Sequence, residues 1–225
     1  MTIRVAICGA GYIADIHAQA VKAQKDLELV AVVEKFPEKA ASFARKFAIK
    51  RRYTELAELL KEGGVEAVII GTPNFMHAPQ ALAALEAGLH VMVEKPMAMS
   101  ASEAEQVLAA SQKSGTTLMV AHCWRFDADV LWLKARLNKI GRIIRTKGYA
   151  VHVRWGPSGW FTQKQLAGGG ALADMGIHAL DTVRFLLGDP LPVSVYAKIG
   201  TYYGNYDVDD TDLLLVNWEG GAVSY

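Results

Sequence analysis

The sequence predicts an α/β chain: a doubly wound parallel sheet followed by a partial α+β domain with an antiparallel sheet. Three observations carry this. Up to residue 121, short apolar runs alternate with amphipathic helical stretches, the pattern of a parallel sheet covered on both faces. A glycine turn, Gly9-Ala10-Gly11-Tyr12-Ile13-Ala14, stands directly between the first apolar run and the first helical stretch. After Arg125 the rhythm changes, and β-rich runs follow one another with turns between them. The boundary is placed at residue 122, giving domains 1–122 and 123–225.

Each element follows from local pattern. Ile3 to Cys8 is a short apolar strand, and the helix after the glycine turn runs to about Lys25. Leu29 to Val33 is a strand ending in Glu34. Pro37 then opens a helix through Lys46, because proline at a first turn gives up only an N–H that has no intrahelical acceptor. A helix over Thr54 to Glu62, a buried strand over Ala67 to Ile70 and a helix over Ala78 to Ala87, closed by Gly88, come next. Strand His90 to Val93, a helix over Ala101 to Ser114 capped by Ser100, and strand Thr116 to Ala121 complete the first domain.

In the second domain a helix is expected over Val130 to Leu137 and a long β-rich stretch over Ile143 to Trp155. A helix from Met175 to Leu187, ended by Gly188 and Pro190, precedes strands near Val193 to Ile199 and Leu213 to Trp218. Trp218-Glu219-Gly220-Gly221 reads as a hairpin turn, and Ala222 to Tyr225 as the start of another strand. The chain is expected to be shortened at its C-terminal end, leaving an exposed, unpaired sheet edge around Leu213 to Tyr225.

Composition narrows the function. The 225 residues carry 24 Lys+Arg against 23 Asp+Glu, a net charge of +1, and no block of five like charges, which argues against a nucleic-acid arm. With 52% hydrophobic and 21% charged residues the chain can fold. No apolar run reaches the roughly 18 residues of a membrane span, and no secretory leader opens the chain, so a cytoplasmic protein is expected. Cys8 and Cys123 lie in apolar runs and form no ligand cluster, so neither a disulfide framework nor a metal is expected.

The chemistry-bearing residues fall in four places. In the glycine turn, Gly9 permits a tight bend, Gly11 lets backbone approach a pyrophosphate, and Ala14 keeps helix close to strand; Tyr12 and Ile13 open the helix whose N–H groups would face the phosphates. This is a Rossmann-type fingerprint in its proper context of strand, turn and helix. Glu34, about 20 residues further on, can accept hydrogen bonds from the adenosine ribose and would repel a 2′-phosphate. NAD is therefore favoured, with NADP possible because Lys35 and Lys39 stand nearby. Thr72-Pro73-Asn74-Phe75-Met76-His77 and Glu94-Lys95-Pro96 both follow buried strands, where the ligand crevice of an open parallel sheet lies. There a lysine beside Glu94 could serve a carbonyl or hydroxyl.

The fourth place is Gly168-Gly169-Gly170 through Asp174 and His178. At i, i+4 the Asp174 carboxylate would orient the His178 imidazole and raise its basicity, making a general base for an alcohol, while Ile177, Leu180, Val183 and Leu187 form the apolar side. His17, His122, Trp124, Arg125, Phe126 and the aromatic stretch holding Trp160 could line a pocket or belong to the core.

Taken in order, the Gly9–Ala14 turn, the Thr72–His77 stretch, the run Ala87 to Pro96 ending in Glu94-Lys95-Pro96, and Gly168 to His178 make the chain resemble the Gfo/Idh/MocA oxidoreductases along nearly its whole length. Members of that family usually run longer than this chain. The resemblance implies a nucleotide-binding domain and an open antiparallel sheet that often mediates homo-oligomers. It implies catalysis by Lys95, Asp174 and His178, and a cis Lys95–Pro96 bond. It assigns cofactor contacts to Gly9, Gly11, Tyr12, Ile13, Glu34, Thr72, Pro73, Asn74, His77, Glu94 and Lys95, and substrate contacts to Lys95, Arg125, Trp160, Asp174 and His178. The implied reaction passes a hydride from a sugar or cyclitol carbinol to nicotinamide, with His178 taking the hydroxyl proton. Two alternatives remain: an NAD-dependent glycosidase of the same superfamily, and a regulatory protein that binds dinucleotide without catalysis.

Overall fold

The computed structural model describes residues 2–152 and 157–225. They form two compact units, one ending at Ala121 and the other starting at His122.

The first unit is a six-stranded, all-parallel sheet in the order β3-β2-β1-β4-β5-β6. Its strands are β1 (Ile3–Cys8), β2 (Leu27–Val33), β3 (Arg51–Tyr53), β4 (Ala67–Ile70), β5 (His90–Val93) and β6 (Leu118–Val120). Five helices connect them: α1 (Tyr12–Lys22), α2 (Pro37–Phe47), α3 (Leu56–Glu62), α4 (Asn74–Glu86) and α5 (Ala101–Ser114). Successive side chains of a strand point to opposite faces, so each strand supplies two cores. Val5 and Ile7 of β1 join Val32 and the α1 and α2 residues Ala14, Ala18, Phe43 and Phe47. Ala6 and Cys8 join Val33, Val68, Ile70, Val91 and Val93 under Leu59, Ala81 and Leu85. Burial on both faces is why these strands read as unbroken apolar runs. It also pushes the Cys8 thiol up to about 12, leaving it protonated and unreactive.

Two features of this unit depart from the sequence reading. Strand β3 was not expected: it is polar, and its edge position beside β2 lets it be so. Helix α4 starts at Asn74 rather than Ala78 and carries Pro79 inside it. The order of strands reverses between β1 and β4, whose carboxyl ends, at Gly9 and Gly71, flank the crevice of the sheet.

The second unit starts with α6 (Ala128–Lys134) and holds α7 (Lys164–Ala167), α8 (Ile177–Leu187) and a four-stranded sheet in the order β7-β10-β9-β8. Its strands are β7 (Arg145–Thr146), β8 (Pro192–Gly200), β9 (Thr211–Trp218) and β10 (Val223–Ser224). The part from β8 through β9 to β10 is antiparallel, whereas β10 pairs with β7 in parallel. Leu180, Val183 and Leu187 of α8 cover Val216, Trp218 and Ala222, as the apolar spacing requires. The Trp218 indole N–H donates to the Ser224 hydroxyl at 2.6 Å, and that hydroxyl lies 2.7 Å from Thr146 Oγ1, tying three strands together.

The expected edge at Leu213 to Tyr225 is corrected by this order: β9 lies between β8 and β10, and β10 between β9 and β7. The edge strands are β7 and β8, and Val193, Val195 and Ile199 of β8 are exposed. Of the β-rich stretch expected from Ile143 to Trp155, only Arg145–Thr146 pairs as strand, and Val153 to Trp155 lie outside the described residues. Among the described residues no helix is long and apolar enough to cross a membrane, and no group of three His, Cys, Asp or Glu could hold a metal.

Candidate active site

The crevice of the first unit is built from loop ends. Gly9 has φ of +97°, and a Cβ placed on it would lie 2.7 Å from the Gly71 carbonyl oxygen, so glycine is required twice over, by conformation and by the approach of the neighbouring loop. Gly11 differs: a Cβ there would meet nothing within 4 Å. It is the N-cap of α1 and provides no side-chain cap to the first N–H groups of that helix. Open space beside Gly11 and the positive end of a helix dipole together suit a pyrophosphate. Ile13 packs against Gly71, and Tyr12 is exposed.

Glu34 reaches back over this turn. Its carboxylate accepts the Ala10 N–H at 3.0 Å and the Phe36 N–H at 3.1 Å. The group expected to meet the ribose thus also braces the glycine turn, at the mouth of the same crevice.

The two other crevice loops are braced by histidines. His77 is 1% exposed, with Nδ1 2.7 Å from the Pro96 carbonyl and Nε2 2.8 Å from the Thr72 carbonyl. Burial lowers its pKa, and the two carbonyls, which favour the charged ring, only partly offset this. The ring is sealed beneath the crevice and holds Thr72–Pro73 against Lys95–Pro96. Both ring nitrogens of His77, expected to contact cofactor, lie against these backbone carbonyls. Thr72 donates its hydroxyl to Gln80 at 2.7 Å, Pro73 is the N-cap of α4, and Asn74 is buried in its first turn.

The Lys95–Pro96 bond is cis. Glu94 accepts the Lys95 backbone N–H at 3.2 Å, and its other oxygen lies 2.7 Å from His17 Nε2 on α1. His17 was open between pocket and core in the sequence reading; its place is on Glu94, and nothing local in the sequence marks a contact 77 residues away.

In the second unit Asp174 and His178 sit where a five-residue π turn, Leu172–Gly176, runs into α8. The helical segment therefore starts before Met175, and the strict i, i+4 geometry of an α-helix does not extend back to Asp174. The Asp174 carboxylate lies 3.1 Å from His152 Nε2, a partner the sequence did not suggest. His178 is 6% exposed, and the Trp124 indole stacks on its ring at 5.0 Å between centroids and 20° between planes. That stacking fixes the plane of the imidazole and shields one of its faces.

Arg125 makes a bidentate pair with Asp181, both contacts at 2.7 Å, and reaches Asp189 at 3.0 Å. The hydrogen bonds and charge of Asp181 raise its pKa against the opposing effect of burial. Its fork thus anchors the 122–126 segment to α8, and Trp124 with it. Trp160 is half-buried and stacks on Phe161 at 3.8 Å between centroids.

A run of carboxylates, Asp209, Asp210 and Asp212, packs beside the π turn. Burial raises the Asp209 pKa, but the Leu172 and Gly170 N–H groups outweigh it and hold the carboxylate below its usual range. At Asp210 burial is likewise overcome, by N–H groups of Tyr203 and Tyr202 and the Tyr206 hydroxyl, which bring it to about 2. Asp212 moves the other way, to about 7, through burial first and then the charge of Asp209. Folding therefore takes up a proton at Asp212. The stability it lends is complete at acid pH and is lost as pH rises towards about 7. The thermal midpoint is expected to fall between about pH 4 and about pH 7, and Asp212→Asn is expected to flatten that fall. An equal fall in both proteins would contradict the assignment.

Known proteins resemble this chain in sequence and fold. Residues 3–122 match the Gfo/Idh/MocA oxidoreductase family, described as having an NAD-binding Rossmann fold, and residues 134–225 match the family's C-terminal domain. D-glucoside 3-dehydrogenase of Escherichia coli is 35% identical over 98% of this chain and 68% of its own length. scyllo-Inositol 2-dehydrogenase (NADP+) of Bacillus subtilis is 30% identical over 97% of this chain and 67% of its own. The solved structure of levoglucosan dehydrogenase with NADH superposes with a TM-score of 0.93 at 29% identity, covering all of this chain and 66% of that one. The chain thus spans about two thirds of the length of these relatives. With both of its domains matched in order, the chain belongs to the Gfo/Idh/MocA family of oxidoreductases, and its first unit is that family's NAD-binding Rossmann domain.

Proposed function

We propose that this chain oxidises a secondary alcohol of a sugar or cyclitol with NAD, His178 acting as the general base, Asp174 as its orienting carboxylate and Lys95 as the polarising cation. The observation that carries the proposal is the placement of His178: a buried imidazole, stacked on Trp124, in the first turn of α8, directly after the π turn that holds Asp174. A histidine with its plane fixed and its surroundings partly dry is suited to take a proton from a hydroxyl. The dinucleotide, when bound, supplies the two-electron acceptor.

The chain's own groups do the rest. Gly11 and the N-terminus of α1 receive the pyrophosphate, and Glu34 receives the ribose hydroxyls. Thr72, Pro73 and Asn74 line the crevice, braced by His77. Lys95, on the braced Glu94-Lys95-Pro96 loop, offers an ammonium to the substrate oxygen and stabilises the alkoxide as its proton leaves for His178. Trp160 offers an aromatic face to the apolar side of a sugar ring, and Arg125 acts by fixing Trp124. A homo-oligomer through the exposed C-terminal sheet and a cytoplasmic setting complete the reading; the exposed apolar residues of β8 support the first.

The coenzyme preference tests the crevice directly. A carboxylate at Glu34 repels a 2′-phosphate, so NAD is expected to bind about tenfold more tightly than NADP, a difference of about 1.4 kcal/mol. Glu34→Gln is expected to narrow that ratio, as read by calorimetric titration of both coenzymes. Tighter binding of NADP by the unaltered chain would overturn the NAD assignment.

A further inference from the structure

The glycine run before the proposed base is gripped from one side. Asp209 Oδ1 accepts the Gly170 N–H at 2.8 Å, Asp209 Oδ2 accepts the Leu172 N–H at 2.9 Å, and the Asp209 carbonyl accepts the Ala171 N–H at 2.9 Å. Three consecutive donors therefore end on one residue. A Cβ on Gly170 would lie 1.8 Å from that carbonyl oxygen, so the close approach exists only because residue 170 is glycine. On its other side, the Gly170 carbonyl accepts the Asp174 N–H at 2.9 Å. The path from the Asp209 carboxylate to the backbone of Asp174 is two hydrogen bonds long.

What this grip holds is a π turn, and such turns persist where their surroundings over-determine them. The first N–H groups of a helix have no internal acceptor, and a carboxylate on two of them makes charge-assisted bonds at the positive end of the dipole. An amide or water could satisfy the donors, but neither would bring the charge that anchors them.

We propose that Asp209 is a positioning residue for proton transfer, the group that fixes the π turn and thereby aims Asp174 and His178. The proposal rests on the reading of Asp174 and His178 as the proton-transfer pair, and it adds a residue some thirty positions downstream of them. It also gives the triple glycine a purpose: Gly170 clears the space into which Asp209 docks.

The test uses Asp209→Asn, which keeps the size but removes the charge, and Asp209→Glu, which keeps the charge. The first readout is the titration of the His178 imidazole by NMR in histidine-labelled chain. The second is turnover with NAD over a panel of aldoses and cyclitols. In Asp209→Asn the imidazole pKa is expected to fall by about half a unit or more, because an anion is removed and the Asp174 turn is loosened. Its kcat is expected to fall about tenfold with KM for NAD within about twofold, and Asp209→Glu should recover part of both effects. If Asp209→Asn does not fold, the same shifts, smaller, are expected in Asp209→Glu.

An imidazole titration that stays in place in every folded variant would overturn the proposal. His178→Asn, assayed in parallel, separates the two failures. If it abolishes turnover while Asp209→Asn changes neither readout, only the positioning role fails. If His178→Asn retains turnover, the base assignment fails, and the NMR titration alone decides whether Asp209 controls His178.

Discussion

Lys95→Ala and His178→Ala are each expected to lower turnover by about 10²-fold or more while leaving the dissociation constant for NAD within about threefold of its original value. The separation follows from where the groups sit. On the proposed reading the pyrophosphate and ribose are met by the Gly9–Ala14 turn and Glu34, away from the side chains of Lys95 and His178. Lys95 is carried on a loop braced by His77 through Pro96 and by Glu94 through its own N–H, so removing its side chain leaves the loop held. His178 is different in one respect. It is buried against Trp124, so alanine also leaves a small cavity, and about 1–3 kcal/mol of stability is expected to go with it. His178→Asn is the companion that keeps more of the volume. Stopped-flow or steady-state assays, with NAD affinity by fluorescence titration, check the prediction. Unchanged turnover in both alanine variants would remove the proton-transfer assignment.

Gly11→Ala is expected to fold like the unaltered chain and to lose NAD affinity by about 10- to 100-fold, whereas Gly9→Ala is expected to lose the fold of the crevice itself. The contrast is geometric. A methyl at Gly11 meets no protein atom within 4 Å and φ is −92°, a value alanine adopts freely. The same methyl occupies the space through which a pyrophosphate would reach the N–H groups of α1, so its cost falls on binding, about 1.4–2.8 kcal/mol for that range. At Gly9 the φ of +97° alone costs a side chain about 1–2 kcal/mol, and contact at 2.7 Å with the Gly71 carbonyl adds to it. Thermal unfolding with and without NAD separates the two. Equal loss of stability in both variants would mean that Gly11 is a structural turn.

What could be read from the sequence divides along physical lines. Elements of the parallel sheet were legible because both faces are buried, which leaves little choice of residue in β1, β4 and β5. Strand β3 was not, because an edge strand beside solvent can be Arg51-Arg52-Tyr53. In the second unit the helix α8 and the strands β8 and β9 carry their own periodicity. The pairing of β10 with β7 does not: its side-chain contact, Thr146 with Ser224, spans 78 residues. The π turn likewise has no local signature.

The candidate site shows the same split. Glycines and acids at fixed offsets, such as Gly9, Gly11 and Glu34, announce a dinucleotide crevice because the chemistry demands those residue types at that spacing. The braces are long-range and silent: His17 on Glu94, His152 on Asp174 and Asp209 on Gly170. Asp181, three residues beyond His178 on α8, gives its carboxylate to Arg125. A helical wheel gives direction, not partner.

The central claim is that this chain couples NAD to oxidation of a sugar or cyclitol alcohol. Its most direct test is the absorbance of reduced nicotinamide during incubation of the chain with NAD and a panel of aldoses, glycosides, anhydrosugars and cyclitols. Net accumulation of NADH with at least one sugar or cyclitol, abolished in His178→Asn, is the predicted result. Firm NAD binding without NADH from any member of the panel would contradict the claim.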